Sequence, residues 1–238
     1  MAVVFRAATS GTLGTDSPVV TAPTGLADGD VVIVAFGMND VVTIGSSPTL
    51  NGFTDLGVQP TAASGGAGHV LWKVASGEGS SWTFTGLWSA STLAAYGCVA
   101  YQDDAAGDAS PDQSAVNAPA ASTTPVSASI TPSVDNCMVV ACFGGDHQSG
   151  STATPLGGAT ERVDIENGGG GAVYIEELLQ TTATAQTMSA TFSASAETSI
   201  FNLSIKPVAA GGADNRIFWP ANLDGVGSGG PFPGHRVQ

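Results

Sequence analysis

Asp28-Gly29-Asp30-Val31-Val32-Ile33-Val34-Ala35-Phe36-Gly37 is the stretch that decides how this chain is read. An Asp-Gly turn opens directly onto a β-branched, aromatic-ended run of strand length. The run is apolar throughout instead of alternating, which predicts a central strand. Further along the pattern returns as Asp135-Asn136-Cys137-Met138-Val139-Val140-Ala141-Cys142-Phe143-Gly144. Working outward, Val20-Thr21-Ala22-Pro23 precedes the first run and Ile130-Thr131-Pro132 the second. Gly52-Phe53-Thr54 answers to Gly158-Ala159-Thr160, and Gly68-His69-Val70-Leu71-Trp72 to Gly171-Ala172-Val173-Tyr174-Ile175. Trp82-Thr83-Phe84-Thr85 answers to Ser189-Ala190-Thr191-Phe192. An ordered set met twice predicts an internal duplication. The unit is roughly 100 residues, the size of a small domain and too long for a solenoid repeat.

The rest of the chain carries the same strand grammar. Val3-Val4-Phe5, Val70 to Val74, Leu93 to Tyr101, Arg162 to Ile165 and Ile200 to Ile205 are strand-length runs. Gly, Pro, Asp and Ser clusters punctuate them. His69 to Val74 and Phe201 to Lys206 alternate apolar with polar, as half-buried strands do. Val173 to Thr182 could pass for a helix through Glu176-Glu177-Leu178-Leu179, but its place in the repeat predicts a strand. The expected fold is therefore all-β, with two related antiparallel β-sandwich repeats of jelly-roll or Ig-like type. The first repeat spans 1–103 and the second 125–207, joined by an Ala/Asp/Ser/Pro-rich linker at 104–124. The length of that linker favours two separate sandwiches over one shared core. Residues 208–238 form an extended Gly/Pro/aromatic C-terminal arm.

Composition narrows the partners. Charged residues are only 11% of the chain, against roughly 25% in ordinary soluble domains. A surface of Ser, Thr, Gly and Ala suits a protein enclosed by other subunits or one carried on a virion or secreted surface. The net charge of −14 argues against nucleic acid and against an anionic membrane. Three cysteines, Cys98, Cys137 and Cys142, all sit in apolar runs and make no disulfide framework. Buried free thiols point to folding in a reducing cytoplasm. The start of the chain does not read as a signal peptide, and no apolar stretch is long enough to span a membrane. Release by lysis is then the expected route outside a cell.

No reaction is written in the motifs. His69, His147 and His235 lack zinc spacing, and there is no nucleophile elbow or P-loop. No cofactor or metal is expected. Asp28-Gly29-Asp30 and Gln102-Asp103-Asp104 offer oxygens for calcium, but turn chemistry explains them better. Asn39, Asp40, Asp146 and His147 follow the central strand of each repeat and are the loop-tip candidates for recognition. On the arm, Arg216, Ile217, Phe218, Trp219, Pro220 and Phe232 are the candidate partner-binding residues. Aromatic and Arg side chains dominate interface energies, and a disordered tail without a partner would be poor in them.

In order, the first repeat carries Pro23, Gly29-Asp30-Val31-Val32-Ile33, Gly52-Phe53-Thr54, Trp72-Lys73-Val74-Ala75, Trp82-Thr83-Phe84-Thr85 and Ala100-Tyr101. This set resembles the β-rich virion structural proteins of tailed bacteriophages, of head-decoration or minor-tail type. The resemblance covers residues 1 to about 207 and weakens in the second repeat at Ala159 and Ile175, where aromatics are missing. It implies a non-enzymatic virion protein, made in the host bacterial cytoplasm and mounted on the virion surface. The leading expectation is a homo-oligomer that decorates or cements the outer capsid through contacts with the major capsid or tail proteins. The alternatives are a tail- or fibre-associated protein that touches the host, through a surface glycan for example, and a carbohydrate-binding module.

Overall fold

The computed structural model describes residues 2–62, 65–103, 109–147 and 149–207. Among them the chain forms fourteen strands and no helix. The first half gives β1 (Val3–Leu13), β2 (Val19–Thr21), β3 (Val31–Met38), β4 (Thr54–Pro60), β5 (Ala67–Val74), β6 (Ser81–Thr83) and β7 (Ala94–Asp103). The second half gives β8 (Ser110–Asn117), β9 (Cys137–Asp146), β10 (Ala153–Pro155) and β11 (Thr160–Glu166). It ends with β12 (Gly171–Gln180), β13 (Ala190–Phe192) and β14 (Glu197–Lys206). All the strand pairings are antiparallel. The segment with the helix-like Glu-Glu-Leu-Leu is strand β12, as its place in the sequence pattern predicts.

One sheet runs β1-β7-β3-β5-β4 and the other β8-β14-β9-β12-β11. Position by position, the two orders follow the same path through their halves. Small pairs, β2-β6 and β10-β13, complete the set. The same turn leads into each central strand. Gly29 has φ 89° before β3, and Asn136 has φ 63° before β9. Glycine and asparagine are the residues that enter this left-handed region at least cost.

The buried side chains form three groups. Val31, Ile33 and Ala35 of β3 face Met138, Val140 and Cys142 of β9 in a core built from both halves. The opposite face of β3, with Val32, Val34, Phe36 and Met38, packs under Trp82, Phe84, Leu87 and Trp88. The opposite face of β9, with Val139, Ala141 and Phe143, packs under Met188, Ala190 and Phe192. Covering on both faces is why Val31 to Met38 has no polar position: every side chain is inside.

Two expectations change here. The halves do not stand apart as separate bodies, because their large sheets share the middle core. Ser110–Asn117, placed in the linker by sequence, is the edge strand β8 hydrogen-bonded to β14. Trp88, which stands just after a glycine-bearing turn, is 2% exposed and among the largest buried side chains. The C-terminal arm lies outside the described residues.

At one end the sheets converge until backbones touch. A Cβ at Gly37 would fall 1.6 Å from the Ala172 carbonyl oxygen, and one at Gly144 would fall 2.6 Å from that of Phe36. Packed sheets ordinarily stand about 10 Å apart, so only glycine permits this approach.

Candidate functional site

The glycine seam gathers the loops that follow β3 and β9. Asn39 and Asp40 leave β3, and Asp146 and His147 end β9. Asn39 Nδ2 donates to the Gly169 carbonyl at 3.2 Å, across the boundary between the halves. The His147 backbone N–H donates to the Gly170 carbonyl at 2.7 Å. The glycine run 168–171 is therefore the β11–β12 turn, laid against both candidate loops. Gly170 has φ 112°, and a Cβ there would come 2.3 Å from Asp146 Oδ1. Thr92 Oγ1 lies 3.1 Å from Asn39 Oδ1 and 3.4 Å from Asp40 Oδ2. One hydroxyl proton serves one acceptor at a time, so the shorter contact takes it.

Glu197 joins this end from the start of β14, where it is the register partner of Asp146. Its Oε2 accepts from Thr61 Oγ1 and from the Gly65 backbone, both at 3.3 Å. Nothing in the sequence pattern marked Glu197, because it is one of many isolated acids beside Ser and Thr. Its pairing with β9 is what makes it part of the site. Burial, then the charges of Glu197 and Asp40, raise the Asp146 carboxyl above its usual range. The cation that would answer these acids is absent among the described residues. Arg6, Lys73, Arg162 and Lys206 are committed to Asp30, Glu78, Glu177 and Asp112. A shallow pocket of about 200 Å³ lies beside the acids, lined by Asp146, His147, Ser195 and Glu197.

The structure thus brings Asn39, Asp40 and Asp146 to one end of the molecule, but it removes His147 from the list of contact points. That residue is only 5% exposed, with its ring edge-on to Phe192 at 5.0 Å. Its Nε2 has no hydrogen-bond partner among the described residues, and burial lowers its pKa to about 4. A neutral imidazole sunk beside an aromatic ring is packing. The arm candidates Arg216, Ile217, Phe218, Trp219, Pro220 and Phe232 lie outside the described residues.

Other polar groups are engaged in holding the fold. Asp30 accepts from the Ala27 backbone and pairs with Arg6; Asp28 accepts from the Gly77 backbone. These are the turn roles expected of Asp-Gly pairs. No group of three or more His, Cys, Asp or Glu among the described residues is arranged to hold a metal ion. The three cysteines are free and buried, and burial pushes the Cys98 and Cys142 thiols far up. His69 and Asp55 have the spacing of a base and its orienting acid, with Nε2 to Oδ1 at 2.8 Å. The Trp88 indole N–H donates to His69 Nδ1 at 3.0 Å, so Nε2 carries the proton and donates to Asp55. His69 is wholly buried and both its nitrogens are engaged, which leaves no nitrogen for a substrate.

The site's chemistry is that of acceptors. Carboxylates and carbonyls at the converged end can take hydrogen bonds from hydroxyls or pair with an incoming cation. No family profile, curated protein or solved structure matches the chain.

Proposed function

We propose that this chain is a non-enzymatic structural subunit of a tailed-phage particle, set on the outer head surface as a decorating or cementing protein. In this reading, the two halves are related β-sandwich repeats, of jelly-roll or Ig-like type, that arose by duplication and share a middle core. The observation that carries the proposal is the shared path of the two large sheets, β1-β7-β3-β5-β4 and β8-β14-β9-β12-β11. It coincides with the twice-repeated sequence signatures that resemble phage structural proteins. The charge-poor surface and buried free thiols agree with assembly in a bacterial cytoplasm. In the polar pair nearest to catalytic geometry, His69 is wholly buried with both ring nitrogens engaged by Asp55 and Trp88, which supports a structural role. The arm at 208–238, whose candidate residues are Arg216, Ile217, Phe218, Trp219, Pro220 and Phe232, supplies contacts to neighbouring copies or to capsid protein through the part that extends beyond its own subunit, 221–238 with Phe232.

Copy number in purified particles tests this reading. Hundreds of copies per particle are expected of a head-surface protein. None at all would overturn the virion role, and a handful would move the protein to the tail.

A tail- or fibre-borne, host-touching role is the second reading, and the acceptor-rich end, which has no basic residue among the described residues, favours it. There Asn39, Asp40 and Asp146 would meet hydroxyls of a surface glycan. Replacing all three with alanine should then reduce adsorption to host cells; unchanged adsorption would remove the idea.

A further inference from the structure

The two long edges of the paired sheets differ. On one, β1 lies against β11. There the Arg162 guanidinium stacks over the Phe5 ring at 3.9 Å and pairs with Glu177. On the other, β4 and β8 stand apart and leave a cleft. Its lower part, about 190 Å³, is lined by Trp72 and by Pro111 to Ser114 of β8. Its upper part, about 110 Å³, is lined by Leu56, Ser114 to Val116 and Phe201. Leu56 and Trp72 are only partly buried, and Val116 is 43% exposed. An edge strand with apolar neighbours and no partner is a surface that folded proteins ordinarily cover.

The chain itself leads to this cleft. Lys206, the last residue of β14, pairs with Ser110, the first of β8, so the described chain ends beside the lower mouth. Beyond it come Ile217-Phe218-Trp219-Pro220. From Pro111 to Val116 the cleft runs about 17 Å at strand rise. From Lys206 to Ile217 an extended chain can span up to about 36 Å, so the aromatic cluster can reach every part of it. We infer that the cleft between β4 and β8 is the seat of this chain's own C-terminal arm, with Ile217, Phe218 and Trp219 covering Leu56, Trp72 and Val116. The seat takes residues up to Pro220 and leaves 221–238, with Phe232, to extend beyond it. The inference stands on the cleft and on the chain's exit, independently of any particle.

Hydrogen exchange of the β8 amides tests it, measured on the full chain, on a chain ending at Pro207, and on full-length Phe218→Ser/Trp219→Ser. In the full chain, amides of Gln113 to Asn117 are expected to exchange at least tenfold more slowly than in the other two, at any protein concentration. Full-length Val116→Asp, a change at an exposed position, should lose the same protection. Equal exchange in the full and double-serine chains overturns the inference. Protection that grows with concentration alongside oligomer formation also overturns it, because the arm then seats in another copy. If the shortened chain does not fold, the double-serine and Val116→Asp chains still decide.

Discussion

The covering layers over the two large sheets occupy matching places and are built differently. Over β3 the layer is aromatic. Trp88 meets Phe36 edge-on at 5.1 Å, Phe53 meets Trp82 at 5.2 Å and Phe84 at 5.4 Å. Its buried polar atoms are answered: His69 bridges Asp55 and the Trp88 indole. Over β9 the layer is thinner, with Met188, Ala190, Ala196 and one aromatic, Phe192. Beneath it lie the wholly buried Glu176 carboxylate and two polar atoms with no partner among the described residues, the Tyr174 hydroxyl and His147 Nε2. Burial raises the Glu176 pKa to about 8, with the Ser189 backbone acting in the opposite direction. The contrast teaches that one path of strands tolerates two ways of roofing it. The first half gains stability from the roof, whereas the second carries groups that stay neutral to stay inside.

The largest effect should come from removing the aromatic roof. Trp88→Ala is expected to cost about 3–5 kcal/mol by urea unfolding, because it opens a cavity and strands His69 Nδ1. Phe192→Ala should cost less. If the two cost the same, the contrast fails. Next comes the ion pair at the closed edge. Arg162→Met leaves Glu177, which is 5% exposed, without its cation, and should cost about 3 kcal/mol. Adding Glu177→Leu should recover most of that loss; no recovery would mean that Arg162 acts through its stacking on Phe5 alone.

A gain is expected in the second half. Glu176 has a raised folded pKa, so its contribution to stability is intact below about pH 4.5 and is lost as pH rises through about 8. Glu176→Gln should therefore be more stable than the parent by on the order of 2 kcal/mol at pH 9, with the difference closing near pH 4. A difference independent of pH would show that Glu176 is not the titrating group. The smallest effect concerns the matched turns. Asn136→Gly should shift stability by no more than about 0.5 kcal/mol, whereas Asn136→Ala should cost about 1 kcal/mol at φ 63°.

The strands were legible because their signals are local. Val31 to Phe36 and Met138 to Phe143 are long enough and apolar enough to admit little else, and Asp-Gly and Asp-Asn mark where they begin. The shared core was not legible. Val31, Ile33 and Ala35 look the same in sequence whether they face a private roof or the other half's sheet. β8 was hidden for a different reason. Ser110-Pro111-Asp112-Gln113-Ser114 has the polarity and the proline of a linker, which is also what an edge strand can carry. Of the loop candidates, Asn39, Asp40 and Asp146 come to one end of the molecule because each ends or follows a central strand. His147 occupies the same place but turns inward onto Phe192, and no pattern of one residue distinguishes those two directions.

The middle core has a consequence for how the molecule responds to dilution. Sheets that meet through an interface on two chains separate once the concentration falls below their dissociation constant. Here both sheets belong to one chain, and only 104–109 lies between the end of β7 and the start of β8. A short tether holds its partner at an effective concentration on the order of millimolar, whatever the bulk value. The Gly37–Gly144 seam and the core beside it are therefore present in a single copy of this protein as fully as in a crowded assembly.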